Sequence, residues 1–215
     1  MDRGRLEAFS DGVFAVAITL LVLNLAVAGP GPLGHPNPPL LRQLGHLWPA
    51  FAAYVLSFFM IGIIWVNHHV LIKSIALVDR TLLFLNLALL LFVVLIPFST
   101  ATVAQYLPVH GGDVKVAMVL YSAVFLGMSV GFSAIFEWSL HGERRLQPLP
   151  PEAHWPARLR FVGGALVYVV AIVVSVFSAY AAFALIALTA VYYIVERTPT
   201  SPAAPDSPDG SPLVG

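Results

Sequence analysis

Five side chains with polar or ionisable groups lie inside otherwise apolar stretches of the sequence: Asp11, Trp65, His68, His69 and Asn86. A carboxylate costs about 2.5 to 3.5 kcal/mol at the centre of a membrane helix, so it normally faces protein or water. Beside imidazoles it suits proton transfer, because the ordinary pKa of histidine lies near neutral pH. The group therefore indicates either a proton-carrying or conformational switch, or a packing lock that holds three helices in register.

The same residues lack the spacing of a metal site. His68 and His69 are adjacent, and adjacent helix positions diverge by about 100°, so the two rings cannot easily bind one ion. The chain contains no cysteine, which excludes a disulfide framework, a thiolate nucleophile and a cysteine metal site. With no nucleophile–base pair visible, we expect no metal, no cofactor and no enzyme activity.

The composition is typical of a membrane protein. Hydrophobic residues make up 59% of the 215 positions and charged residues 10%, against roughly 25% charged in soluble domains. The mean hydropathy is +0.86. The 11 basic and 11 acidic residues cancel, so the charge indicates no nucleic-acid partner. The expected partner is the lipid bilayer.

Six apolar segments follow one another along the chain, and most reach the ~20 residues that cross a ~30 Å hydrocarbon core. The last two are short and are separated only by "FSAY", residues 177–180, so one long helix is the alternative to the helical hairpin that we favour. The fold class is therefore an all-α membrane protein with six transmembrane helices per subunit. The segments are Leu6–Ala28, Leu47–Ile72, Val78–Val103, Val114–Leu140, Leu159–Val176 and Ala181–Val195.

Proline-rich sequence separates several of these helices. "GPGPLGHPNPP" at residues 29–39 and "QPLPPEAHWP" at residues 147–156 predict loops, because proline cannot continue a helix. The tail from Thr198 is rich in Pro, Ser and Asp and is predicted to be disordered. The expected organisation is a six-helix transmembrane domain, residues 1–197, followed by a tail, residues 198–215.

The basic residues predict the orientation of the chain. With six crossings, nine basic residues fall on one side and two on the other, so both termini, including the tail, are predicted to be cytoplasmic in the plasma membrane. "AVA" at residues 26–28 has the form of a signal-peptidase site, but Glu7 and Asp11 are unusual before such a site. The nine are Arg3, Arg5, Lys73, Arg80, Arg144, Arg145, Arg158, Arg160 and Arg197, and the two are Arg42 and Lys115.

One face of the first predicted helix is apolar. At 100° per residue its members fall within about 40° of one line, whereas Asp11 lies roughly 140° from Val16. Such a stripe is more often lipid contact or helix packing than a pore lining. Its members are Phe9, Val16, Leu20, Leu23 and Val27.

Sequence motifs in the first three helices resemble the transmembrane protein 175 family, the lysosomal potassium channels and their prokaryotic relatives. "RLEAFSD" at residues 5–11 has the R-x-x-x-F-S-D form of that family's first helix. "GVFAVAITLLVLNL", "WVNHH" and "NLALLLFVVLIPFST" are also similar to family segments. The motif and polar-network residues are Arg5, Phe9, Ser10, Asp11, Trp65, His68, His69 and Asn86.

The resemblance implies a homotetramer in which four copies of the first helix line a central pore for potassium ions, with no cofactor. In that family large apolar side chains form the constriction, which falls here on Val16, Leu20 and Leu23, with Thr19 as the nearby hydroxyl. Animal members carry two six-helix repeats and dimerise. A ring of such apolar side chains would act as a hydrophobic gate by excluding water. Because the chain lacks the TVGYG loop of other potassium channels, we expect modest selectivity for potassium.

A proton-coupled secondary transporter is the alternative function. It would use Asp11 with His68 and His69 as its coupling site, and Pro97 and Gly163–Gly164 would interrupt helices as in transporters. That function predicts saturable flux and a charged site at mid-membrane. The channel predicts an apolar stripe along a pore helix, which the first helix supplies.

Overall fold

The computed structural model describes residues 2–26, 38–108, 111–142, 144–147 and 150–195. Over these ranges the chain forms seven α-helices, and a 3₁₀ turn over Leu21–Asn24 continues the first of them. The helices are α1 (Arg3–Leu20), α2 (Leu40–His46), α3 (Trp48–Lys73), α4 (Arg80–Tyr106), α5 (Gly112–Ser139), α6 (Pro151–Phe177) and α7 (Ala179–Val195).

Five helices of the described ranges are long and apolar enough to cross a membrane: α1 with its 3₁₀ turn, α3, α4, α5 and α6. Helix α7 is apolar but has only 17 residues. At 1.5 Å per residue it is about 25 Å long, a little less than the hydrocarbon core. The molecule is thus a multi-pass helical membrane protein whose sixth crossing depends on α7.

The last apolar stretch forms two helices and not one long helix. Helix α6 ends at Phe177, and Ser178 has extended backbone angles of φ −148° and ψ 113°. The Tyr180 hydroxyl donates a hydrogen bond to the Leu107 carbonyl (2.7 Å). A Cβ atom at Gly164 would lie 3.1 Å from the Tyr193 hydroxyl oxygen, so α7 returns antiparallel along α6. The predicted hairpin therefore turns at one residue, and the single-helix interpretation is wrong.

The loop predicted at residues 147–156 is too long, because α6 already begins at Pro151 and continues through Pro156. Proline is tolerated in the first turn of a helix, where its missing N–H has no partner to lose. Pro156 has no N–H to donate to the Glu152 carbonyl, so one further helical hydrogen bond is missing. Glu152 is exposed, so water can donate to this carbonyl in place of the missing N–H.

Several sequence predictions fall on residues outside the described ranges. These include most of the loop at 29–39, the end of the first predicted helix with Val27, and the tail at 198–215. Helix α2 was not predicted and precedes α3 directly, with Leu47 between them.

Small residues allow α4 and α5 to approach closely at the centre of the molecule. A Cβ atom at Gly131 would lie 3.1 Å from the Leu89 Cα atom, and one at Gly127 would overlap the Phe92 ring. Without a hydrophobic driving force between helices in lipid, such close backbone packing supplies the van der Waals contact that holds them together.

Two helix connections and the start of α1 meet at one end of the molecule. The Ala76 N–H donates to the Arg144 carbonyl (2.7 Å), and the Leu146 N–H donates to the Ser74 carbonyl (3.0 Å). The Arg3 guanidinium donates to the Lys73 and Ile75 carbonyls (both 3.3 Å). We call this the basic end, defined by Arg3, Lys73, Arg144 and Arg145.

Candidate functional site

Helix α1 has one face inside the subunit and an opposite apolar face outside it. The inner face packs against α3 and α4. Its buried residues recur every three or four positions: Leu6, Ser10, Phe14, Ala17 and Leu21. On the outer face the exposed fractions are 50% for Phe9, 57% for Val16, 39% for Leu20 and 71% for Leu23. The stripe predicted from the sequence therefore lies on a surface that its own subunit leaves uncovered.

Thr19 is the hydroxyl residue on this exposed side of α1. Its Oγ1 atom donates a hydrogen bond to the Val16 carbonyl (2.9 Å). The proton is therefore used within the helix, and the oxygen lone pairs remain available as acceptors. Thr19 thus has an oxygen acceptor that lies, along the helix, between the predicted constriction residues Val16 and Leu20.

A buried chain of hydrogen bonds connects α1, α4 and α3. The Asn86 amide nitrogen donates to Ser10 Oγ (3.0 Å), and Ser10 Oγ donates to the Leu6 carbonyl (2.9 Å). The Asn86 amide oxygen lies 2.7 Å from His68 Nε2. Because an amide oxygen only accepts, this arrangement assigns the proton to Nε2 of His68. Ser10, Asn86 and His68 are at most 1% exposed.

Aromatic rings enclose the His68 end of this chain. The Phe14 ring centroid lies 5.3 Å from the imidazole centroid, and the Phe132 ring meets it edge to face at 6.4 Å. Apolar walls of this kind strengthen a satisfied hydrogen bond and raise the cost of breaking it. The arrangement suits a fixed packing contact between three helices.

Asp11 lies in a separate polar pair and not in the buried chain. Its Oδ1 atom accepts a hydrogen bond from Trp65 Nε1 (2.8 Å), and the Trp65 ring stacks on His69 with centroids 6.1 Å apart. Trp65 is 42% exposed. The five polar side chains that the sequence suggested as one group therefore form two. Asp11, Trp65 and His69 lie outside, and Asn86 and His68 lie inside with Ser10.

The motif residues Arg5 and Phe9 are both exposed. The basic side chain that fixes the start of α1 is instead Arg3, through its two carbonyl contacts at the basic end. Glu7 lies one turn further on, with its Oε1 atom 3.7 Å from Arg3 Nε.

Sequence reasoning missed a second buried polar group, which joins α3, α4 and α5. Ser57 Oγ lies 2.7 Å from Thr100 Oγ1 and 2.9 Å from the Tyr121 hydroxyl. Thr100 uses its proton on the Ile96 carbonyl (2.7 Å), so the hydroxyls form a chain from Tyr121 through Ser57 to Thr100. The available signal was the presence of hydroxyl residues inside three apolar helices, without any indication of which of them meet.

A further contact that the sequence did not indicate holds the end of α1. The Asn24 side-chain amide donates to the carbonyl of Pro97 in α4 (3.3 Å). Asn24 ends the 3₁₀ turn that also carries Leu23. This bond therefore helps to fix the position of Leu23, the most exposed of the described residues of the apolar stripe.

Comparison with known proteins matches the segment that contains these contacts. The family model described as "Endosomal/lysosomal potassium channel TMEM175" matches residues 5–97. A Streptomyces collinus protein named as a potassium channel is 44% identical over 178 residues, which cover 80% of this chain and 81% of that protein. The chain belongs to the TMEM175 family. Its first-helix motif, "WVNHH" and Asn86 all lie inside the matched segment.

A solved structure extends the TMEM175 match to nearly the whole fold. The crystal structure of a lysosomal potassium-selective channel TMEM175 homolog from Chamaesiphon minutus is 32% identical, with a TM-score of 0.76 over 89% of this chain and 96% of that chain. A chicken protein named as an endosomal/lysosomal proton channel TMEM175 is 28% identical over 69% of this chain and 30% of that protein. TMEM175 proteins are thus channels and not enzymes, and the family has no cofactor.

Proposed function

We propose that this TMEM175 family member is a homotetrameric potassium channel in which four copies of α1 line a central pore. The observation that carries the proposal is the apolar stripe of α1, which its own subunit leaves uncovered. The buried hydrogen-bond chain on the opposite face of α1 keeps the stripe pointing away from its own subunit, where copies of α1 from other subunits can face it. Relatives named as potassium channels support the same conclusion.

The gate in this proposal is a ring of apolar side chains from Val16, Leu20 and Leu23. An ion entering such a ring loses water and gains no oxygen ligand in return, so the constriction blocks conduction by excluding water. Opening requires α1 to rotate or to move outward. Leu23 lies beyond the regular helix, in the 3₁₀ turn, and it is the most exposed of the three.

Selectivity in this proposal is modest and depends on Thr19. Four Thr19 oxygens would supply a single ring of acceptors beside the apolar constriction. A single hydroxyl ring replaces less of the hydration shell than the stacked carbonyl rings of TVGYG filters. We therefore expect potassium to be preferred over sodium without the strict exclusion that those filters achieve.

The proposed topology has six crossings and cytoplasmic termini in the plasma membrane. Helix α7 supports the sixth crossing, because it contacts Leu107 at its start and lies beside Gly164 near its end. The orientation follows from the basic end, which brings together Arg3 and two helix connections that carry basic residues.

Two observations favour the channel over the proton-coupled transporter. Helices α4 and α6 continue through Pro97 and Gly163–Gly164, so neither forms the broken helix typical of a transporter site. His68 donates to Asn86 and not to Asp11, so the expected coupling pair is divided between two polar groups.

The direct test is ion flux through purified protein in planar bilayers with potassium on one side and sodium on the other. We expect discrete unitary currents with a reversal potential displaced toward that of potassium, in the absence of a pH gradient. Flux that saturates, shows no unitary events and requires a pH gradient would establish the transporter instead. Mass photometry of the same sample should give four subunits per particle.

A further inference from the structure

A cavity of about 730 Å³ lies between α3, α5, α6 and the end of α7, away from the proposed pore face. Ligand pockets in proteins measure roughly 300 to 1,000 Å³, so the volume suits a bound molecule. Its α3 wall runs from Phe59 to Leu71, about 18 Å along the helix axis. One leaflet of the ~30 Å hydrocarbon core is about 15 Å thick, so the cavity is long enough for one acyl chain.

One end of this cavity is cationic. Arg145, which belongs to the basic end, lines the cavity together with Ser74. Its Nη1 atom donates to Ser139 Oγ (2.9 Å), while its Nε atom is buried with no hydrogen-bond partner among the described residues. Within those same residues no carboxylate forms an ion pair with Arg145. Burial lowers the pKa of this guanidinium, whose Cζ atom lies 5.8 Å from the centroid of the Phe136 ring.

The rest of the lining is largely apolar, and the side of the cavity is open. Phe59, Val66 and Val70 of α3 and Ile194 of α7 line it and are 45 to 54% exposed, with Phe59 and Val70 both at 50%. Since these residues belong to membrane-embedded helices, the opening faces the apolar interior of the bilayer. A lipid chain can therefore enter sideways without crossing water.

We propose that this cavity binds an anionic phospholipid, with one acyl chain along α3 and the phosphate at Arg145. The apolar length and the lateral opening select a bilayer lipid, and the guanidinium, which has no carboxylate partner among the described residues, selects a negative headgroup. The site is independent of the pore face, and its test does not depend on channel activity.

Gly62 provides a way to fill the cavity without disturbing the fold. It lies in α3 and lines the cavity, and a Cβ atom built on it meets no other atom within 4 Å. Replacing a glycine inside a helix also favours the helical conformation. Gly163 is the matched control, because it lies in α6 with the same open surroundings but does not line the cavity.

The experiment is native mass spectrometry of the purified, delipidated protein titrated with phosphatidylglycerol and with phosphatidylcholine of the same acyl chains. We expect the wild-type protein to prefer phosphatidylglycerol. Arg145→Gln should weaken phosphatidylglycerol binding about tenfold and remove the preference, as the loss of a charge-assisted contact predicts. Arg144→Gln, which changes a neighbouring cation that lies over the Trp138 ring, should keep the preference.

The cavity-filling variants test the acyl-chain part of the site. Gly62→Phe should lose binding of both lipids, whereas Gly163→Phe should bind both like the wild type. An unchanged lipid preference in Arg145→Gln, or unchanged binding in Gly62→Phe, would overturn the proposal. A third outcome would also overturn the proposal. If Gly62→Phe dissociates the oligomer and lipid binding does not depend on Arg145, a second subunit fills the cavity.

Discussion

Neighbouring residues in the polar motifs have different surroundings, because successive side chains on a helix point about 100° apart. Ser10 and His68 face inward to Asn86, while Asp11 and His69 face the partly exposed Trp65 ring. The motif therefore combines a buried link between α1, α4 and α3 with an outer carboxylate–indole contact between α1 and α3. We propose that both position α1 and that Asp11 does not bind the permeating ion.

This division predicts unequal effects of substitutions. Asn86→Ala removes the central member of the buried chain, leaves the His68 donor unpaired and should destabilise the protein by about 1 to 3 kcal/mol. Asp11→Asn keeps an oxygen acceptor for Trp65 and should cost less than about 1 kcal/mol. Thermal unfolding of the detergent-solubilised variants, followed by loss of the oligomer peak in size-exclusion chromatography, compares them. Equal destabilisation would contradict the assignment of Asp11 to the outer pair.

The Asp11–Trp65 contact can be tested separately with a double-mutant cycle. Trp65→Phe removes the N–H donor and Asp11→Ala removes the acceptor, so the double variant should lose little more stability than either single variant. Strictly additive losses would show that the two side chains act independently. Neither single change should reverse the preference for potassium, because neither residue belongs to the proposed pore lining.

The helices themselves could largely be predicted from the sequence, because most of the apolar runs are long enough to cross the bilayer. The ends of the helices could not be predicted in this way. Helix α6 begins at Pro151 and continues through Pro156, where a loop was expected, and Ser178 alone separates α6 from α7. The 3₁₀ turn and the bond from Asn24 to Pro97 also left no signal in hydropathy. Motif resemblance located the polar residues, but only the helix rotations show which of them meet.

At the level of elements, the 3₁₀ turn should control the resting position of Leu23. Asn24→Leu keeps the branching at Cγ and lacks the donor to the Pro97 carbonyl, so the turn should move more freely and the gate should open more often. Single-channel recording measures the open probability, and Gln43→Leu, which removes an amide from the exposed helix α2, is the control. An unchanged open probability in Asn24→Leu would show that the bond between Asn24 and the Pro97 carbonyl does not affect gating.

For the molecule as a whole, the assembly could not be predicted from the physics of one chain. The described subunit buries the inner face of α1 and leaves the outer face uncovered, but exposure alone does not distinguish lipid, another subunit or a pore. Motif resemblance supplied the tetramer as an expectation. The proposed orientation of the chain in the membrane rests on the basic end and is directly testable.

The absence of cysteine from the sequence allows clean labelling of the topology. Leu41→Cys, in the exposed helix α2, should react with a membrane-impermeant maleimide added to intact cells. Gln147→Cys, beside the basic end, should react only after the membrane is permeabilised, because the basic end is proposed to be cytoplasmic. Labelling of both positions from outside would contradict the proposed orientation and number of crossings.

The bilayer current of Leu23→Ser tests most directly whether the exposed stripe of α1 forms the wall and gate of the pore. A hydroxyl in the constriction lowers the free energy of filling the constriction with water. If α1 lines the pore, we expect a larger potassium current and weaker discrimination against sodium. Leu188→Ser is the control, because Leu188 lies on α7 and is 68% exposed, close to the 71% of Leu23. Equal currents from the wild type and both variants, with matching results for polar substitutions at Val16 and Leu20, would show that α1 does not line the pore.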